Sequence, residues 1–100
     1  MYEVSYSGRV LDAARELITR NPARAAALIA AVREFDRRLR VYPQFGEPLR
    51  NLAVPDAQLW VASIPPLTLH YVVIEADDRG RRRQVIVVRP FILLPNSGLA

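Results

Sequence analysis

The sequence has a single histidine and no cysteine, so the residues able to do chemistry near neutral pH reduce to His70 and a set of arginines. Histidine is the side-chain type whose ordinary pKa suits acid or base work in this range. His70 lies in the apolar run Leu67 to Glu75. Strict alternation puts it on one face with Thr68 and Val72, opposite Leu69, Tyr71 and Val73. It reads either as a general acid or base or as a partly exposed structural residue. Arg50 and Arg89 are expected to converge on one open sheet face, where their planar forks would clamp phosphate. The alternative is a solvated Arg50 and an Arg89 that caps the sheet edge. Arg81, Arg82 and Arg83 form a run that reads as a nucleic-acid-binding cluster or as a solvated hairpin tip that discourages edge pairing. The missing cysteines exclude disulfides, thiolate metal sites and a thiol nucleophile, and one histidine excludes a multi-histidine metal centre. No metal and no cofactor is expected.

Elements must position these side chains, and most are legible from pattern. Tyr2, Val4 and Tyr6 alternate with Glu3 and Ser5, as in a half-buried strand. Ser7 stands where a helix N-cap belongs, and Leu11, Ala14, Leu17 and Ile18 give an apolar stripe to a helix over 8–20. Asn21-Pro22 restarts the chain as cap and first turn of a second helix ending before Pro43. Its stripe is Leu28, Val32, Phe35, Leu39 and Tyr42, with Arg33, Arg37, Arg38 and Arg40 on a solvated side beside Glu34 and Asp36. Pro43 to Pro48 reads as a loop leading into Leu49 to Leu52, and Pro55-Asp56 breaks the chain again. Three strand-like runs follow, Leu59 to Ile64, Leu67 to Glu75 and Arg83 to Arg89, separated by Pro65-Pro66 and by a turn at Asp77 to Gly80. Trp60 and Phe91 belong either to the core or to a partner contact.

The expected fold class is therefore α+β. An N-terminal strand and an antiparallel helical hairpin precede a three-stranded antiparallel meander, giving one small sheet with the helices on one face. One hundred residues suit a single domain, 1–100, with an ordered core over about 2–93 and a flexible tail at 96–100. Fourteen arginines and no lysine against ten acidic residues give a net charge of +4, which favours a polyanionic partner. The N-terminus has no basic-then-apolar order and no run is long enough to span a membrane, so a cytoplasmic location with no membrane partner is expected.

Local text sharpens the picture. Gly46-Glu47-Pro48-Leu49-Arg50-Asn51-Leu52, Leu59-Trp60-Val61, Leu69-His70-Tyr71-Val72-Val73 and Val85 to Arg89, taken with the element order, length and charge, resemble the RelE/ParE superfamily of bacterial toxins. The resemblance runs over roughly residues 2–93. It implies the toxin component of a type II toxin–antitoxin pair, a ribosome-associated, metal-independent mRNA endoribonuclease or its degenerate relative. An acidic antitoxin would neutralise it, and a homodimer is compatible with it. In the nuclease reading His70 is the acid or base while Arg50 and Arg89 stabilise phosphate charge. The rivals are a non-catalytic ParE-like inhibitor of DNA gyrase and an inactive binding domain of the same fold. Tyr71 matches the family's strand tyrosine, but the family's strand arginine falls on Thr68. The nucleases' C-terminal tyrosine and C-terminal helix have no counterpart.

Overall fold

The computed structural model describes residues 2–53, 56–75 and 83–94. Arg81, Arg82, Pro55, the turn expected at 77–80 and the tail expected at 96–100 lie outside the described residues. The elements run β1 (Glu3–Tyr6), α1 (Gly8–Arg20), a 3-10 turn (Pro22–Arg24), α2 (Ala25–Val41), a second 3-10 turn (Pro43–Phe45), β2 (Glu47–Asn51), β3 (Ala57–Ile64), β4 (Leu67–Ile74), β5 (Gln84–Val87) and β6 (Ile92–Leu93). The class is mixed α+β. The strands form one sheet in the order β1-β5-β4-β3-β2, with β6 pairing onto β4. β1 runs parallel to β5 and every other pairing is antiparallel.

The sheet thus has six strands where the sequence predicts four. β2 occupies a stretch read as loop because of Pro48. It lies at the end of the strand order, where a missing N–H on the outer side costs no ladder bond. β6 pairs only Leu93 with Leu67 and Ile92 with Thr68, too short a run for alternation to register.

Local signals set the helix ends. The Ser7 hydroxyl accepts from the Val10 N–H at 3.1 Å, satisfying one of the first-turn donors of α1. Asn21 acts differently from expectation: it closes α1, its Nδ2 donating to the Leu17 carbonyl at 2.8 Å and its N–H to that of Ile18. α2 therefore starts through a 3-10 turn carrying Pro22 at its first position, without a side-chain cap.

The core lies between α2 and one face of the sheet. Leu28, Ala31, Phe35 and Leu39 of α2 meet Trp60 and Ala62 of β3, Leu69, Tyr71 and Val73 of β4, and Val85 and Val87 of β5. Trp60 and Phe91 both join this core, the Phe91 ring tilted 5.4 Å from that of Phe35. Two stripe residues depart from expectation. On α1 the buried position is Val10 while Leu11 is exposed, and Tyr42 lies past the end of α2 and is exposed.

Gly46 is fixed by close approach. A Cβ there would collide with the Val61 carbonyl oxygen and lie 2.8 Å from the Tyr71 hydroxyl. That hydroxyl donates to the Pro43 carbonyl at 2.5 Å, tying the turn before β2 to the centre of the sheet.

Candidate functional site

Alternation divides the strands between two environments. One row of cross-strand neighbours, Arg50, Leu59, Val72, Ile86 and Ser5, crosses the sheet on the face away from the core. The adjacent row, Asn51, Gln58, Val73, Val85 and Val4, crosses on the core side.

A bulge in β2 decides where Arg50 falls. Pro48 pairs with Trp60 and Arg50 with Leu59, so Leu49 is one residue too many on β2. Without it Leu49 would oppose Leu59, and Arg50 would oppose Gln58 on the core side. With it, Leu49 and Arg50 both line a groove of about 440 Å³ on the outer face, completed by Leu52, Leu59, His70, Val72, Val88 and Arg89.

The three residues singled out for phosphate and proton chemistry, Arg50, His70 and Arg89, therefore line one shallow concavity. Its walls are otherwise aliphatic, and the leucines and valines that form them are not flagged as site residues by the sequence. Only the period-2 pattern of β3 and β4 marks Leu59 and Val72 as sharing the face of His70. Neither arginine pairs with a carboxylate among the described residues. Five helix arginines contrast with them: Arg15 pairs with Asp12, Arg20 with Glu16, Arg37 and Arg38 with Glu34, and Arg40 with Asp36. Hydrogen bonds from Arg37 and then Arg38 hold the Glu34 carboxyl down to about 2. Arg50 and Arg89 thus carry unpaired positive charge in the groove, while Arg9, Arg24 and Arg33 carry it elsewhere among the described residues.

His70 sits opposite Val61, half-buried, and its Nδ1 is buried with no hydrogen-bond partner. Tyr71, expected from the toxin resemblance to be a functional strand tyrosine, points into the core and is fully buried. Burial pushes its hydroxyl above the ordinary tyrosine range, and the proton is committed to Pro43. Thr68, where the family arginine would fall, shares a hydrogen bond with Ser63 at 2.8 Å. Arg83 does not line the groove; its guanidinium stacks over the Tyr2 ring at 5.3 Å, just before β5.

The groove lining combines two guanidinium groups free of carboxylate partners, an aliphatic floor and one imidazole, the kinds of group that anion binding and proton transfer use. No family model, curated protein or solved structure matches the chain. Among the described residues no cluster of three metal-ligating side chains occurs, and no helix is long and apolar enough to cross a membrane.

Proposed function

We propose that the chain is a RelE/ParE-like toxin module that works through the open face of its sheet, gripping RNA phosphate in the groove. The observation that carries this reading is the convergence of Arg50, His70 and Arg89 on one lining. In RNA cleavage His70 would take the 2′-OH proton or return one to the leaving 5′ oxygen, while the arginines offset charge on the pentacoordinate phosphorus. The same face suits the antitoxin. Exposed Leu49 and Val88 line the groove with the arginines, so an acidic segment with apolar side chains would cover both kinds of surface.

A second reading, a ParE-like inhibitor of DNA gyrase that binds without catalysis, draws support from a specific feature. The groove holds one proton-carrying side chain where cleavage needs two, and Tyr71 is spent in the core.

Expression of the chain without a partner should arrest bacterial growth, and the double substitution Arg50→Ala/Arg89→Ala should relieve the arrest while the protein stays soluble. Normal growth alongside soluble wild-type protein would reject the toxin reading. Message cleavage on translating ribosomes that disappears in His70→Ala selects the nuclease; SOS induction without cleavage selects the inhibitor.

A further inference from the structure

A second concavity, of about 470 Å³, lies on the core side of the same sheet end. Its lining includes Gln44, Asn51, Asp56, Gln58, Trp60 and Glu75. It carries carboxylates and carboxamides where the groove carries arginines and an imidazole, and it brings two carboxylates together in a chain of net charge +4.

These groups are held in place. The Tyr2 hydroxyl donates to the Glu75 carboxylate at 2.9 and 3.1 Å, and Gln44 Nε2 donates to both Glu75 and the Tyr2 oxygen at 2.9 Å. Gln58 Nε2 donates to Asn51 Oδ1 at 3.1 Å. Asp56 takes φ 62°, a left-handed conformation that aspartate tolerates, and its carbonyl accepts from the Glu75 N–H. Neither Asp56 nor Glu75 has a cationic partner among the described residues. The decisive feature is Trp60, which forms part of the wall and is only 9% exposed, yet whose indole Nε1–H has no acceptor. An orphaned buried donor in a polar site marks a place where a ligand or water belongs.

The wall thus offers acceptors that cannot donate, the two carboxylates, beside one donor in need of an acceptor, the Trp60 indole N–H. A simple cation would leave the indole unused, and a simple anion would meet the carboxylates. A planar group with an amino substituent next to a ring or carbonyl acceptor satisfies both, its two N–H bonds serving two carboxylates where the single N3–H of uracil serves one. We propose that this cleft binds the hydrogen-bonding edge of an amino-bearing nucleobase, and that uracil, which has no amino group, is disfavoured.

The cleft adjoins the groove across β2: Arg50 and Asn51 are consecutive and Leu52 lines both concavities. A nucleotide crossing this edge strand would place its base in the cleft and its phosphate by Arg50. That extension rests on the RNA-binding reading above, whereas base binding rests on the cleft alone.

The chain has one tryptophan, so a single indole N–H resonance reports on the cleft. Full-length protein is titrated with cytidine, guanosine, uridine, cytidine 5′-monophosphate and magnesium chloride. Cytidine and guanosine should shift the indole signal with Kd of about 1 mM or tighter, uridine about tenfold more weakly. Glu75→Gln, a substitution at an exposed side chain that keeps an acceptor for Tyr2, should weaken cytidine binding about tenfold, and Arg50→Ala should leave it unchanged. The 5′-phosphate should tighten binding in wild type and not in Arg50→Ala. Equal response to uridine, a response to magnesium alone, or no movement of the indole signal overturns the proposal. Growth arrest without nucleoside binding would sink the cleft and spare the toxin reading; nucleoside binding without arrest would do the reverse.

Discussion

The outer groove and the inner cleft are built from neighbouring residues of the same three strands and are similar in volume, yet they differ in charge and in hydrogen-bonding groups. Arg50, Leu59 and Val72 supply the groove; Asn51, Gln58 and Val73 supply the cleft. One is cationic over aliphatic walls, the other carries carboxylates and amides around an indole. The pleat separates them, because consecutive side chains leave a strand on opposite sides. The net charge of +4 describes neither surface. The outer face keeps Arg50 and Arg89 unpaired, while five of the arginines on α1 and α2 have acids one turn away, an arrangement of little consequence for stability that leaves the groove arginines open to a polyanion.

If the two concavities share one rigid support, damage to that support should remove both functions together. Phe35 is fully buried beneath the sheet and packs against Phe45 and Phe91. Phe35→Ala should cost about 3–5 kcal/mol in urea denaturation, with groove and cleft affinities falling in parallel. Retained binding at either surface in a globally unfolded variant would break the shared-support picture. The next effect in size is at Gly46, just ahead of the strand that feeds both surfaces. Gly46→Ala drives a methyl group against the backbone of Val61, so β2 must move; the expected loss is about 1–3 kcal/mol. A neutral result would mean that the approach of β2 to β3 is looser than the geometry requires.

Element types were legible in the sequence wherever period and capping agreed, as in α1 behind Ser7 or in β3 and β4. Pro48 hid β2, since the same residue that forbids a central strand is harmless on an edge. The groove was half legible. Alternation gave the face of His70, but Arg50 reaches that face only because Leu49 is bulged, and a bulge leaves no periodic trace. The inner cleft was not legible at all. Gln44, Asp56 and Glu75 come from three separate connections, and sequence spacing carries no information about their meeting.

Electrostatics sharpens the contrast between the surfaces by a smaller amount. Phosphate gripped by arginine releases counterions, so binding of a short single-stranded RNA should weaken steeply with salt. Removing either Arg50 or Arg89 should lower the slope of log affinity against log salt by about 0.7 for each phosphate that is no longer neutralised. Nucleoside binding in the cleft, which involves no phosphate, should barely respond to salt. Equal slopes for the two ligands, measured by fluorescence titration, would mean that the division of labour between the faces is wrong.

The smallest expected effect lies in the helix layer and serves to separate folding from binding. The Asp36 carboxylate accepts from the Tyr6 hydroxyl at 2.7 Å and from Arg40 Nε at 2.9 Å, joining β1 to α2. The Arg40 hydrogen bond, aided by that of Tyr6, outweighs desolvation and holds the Asp36 carboxyl below the usual carboxylate range. Burial pushes the Tyr6 hydroxyl upward, so it remains a donor throughout. A folded-state pKa below the unfolded value of about 3.9 stabilises the fold above that pH, and the contribution disappears as pH falls through the depressed value. Asp36→Asn should therefore be less stable than wild type at pH 6, and the gap should close on acidification below about pH 4. The difference is modest because the ion pair is partly solvated. Asp36 lines neither concavity under comparison, so RNA and nucleoside affinities at pH 6 should match wild type. A change in either would show that the helix layer helps to set the geometry of the sheet surfaces instead of merely supporting them.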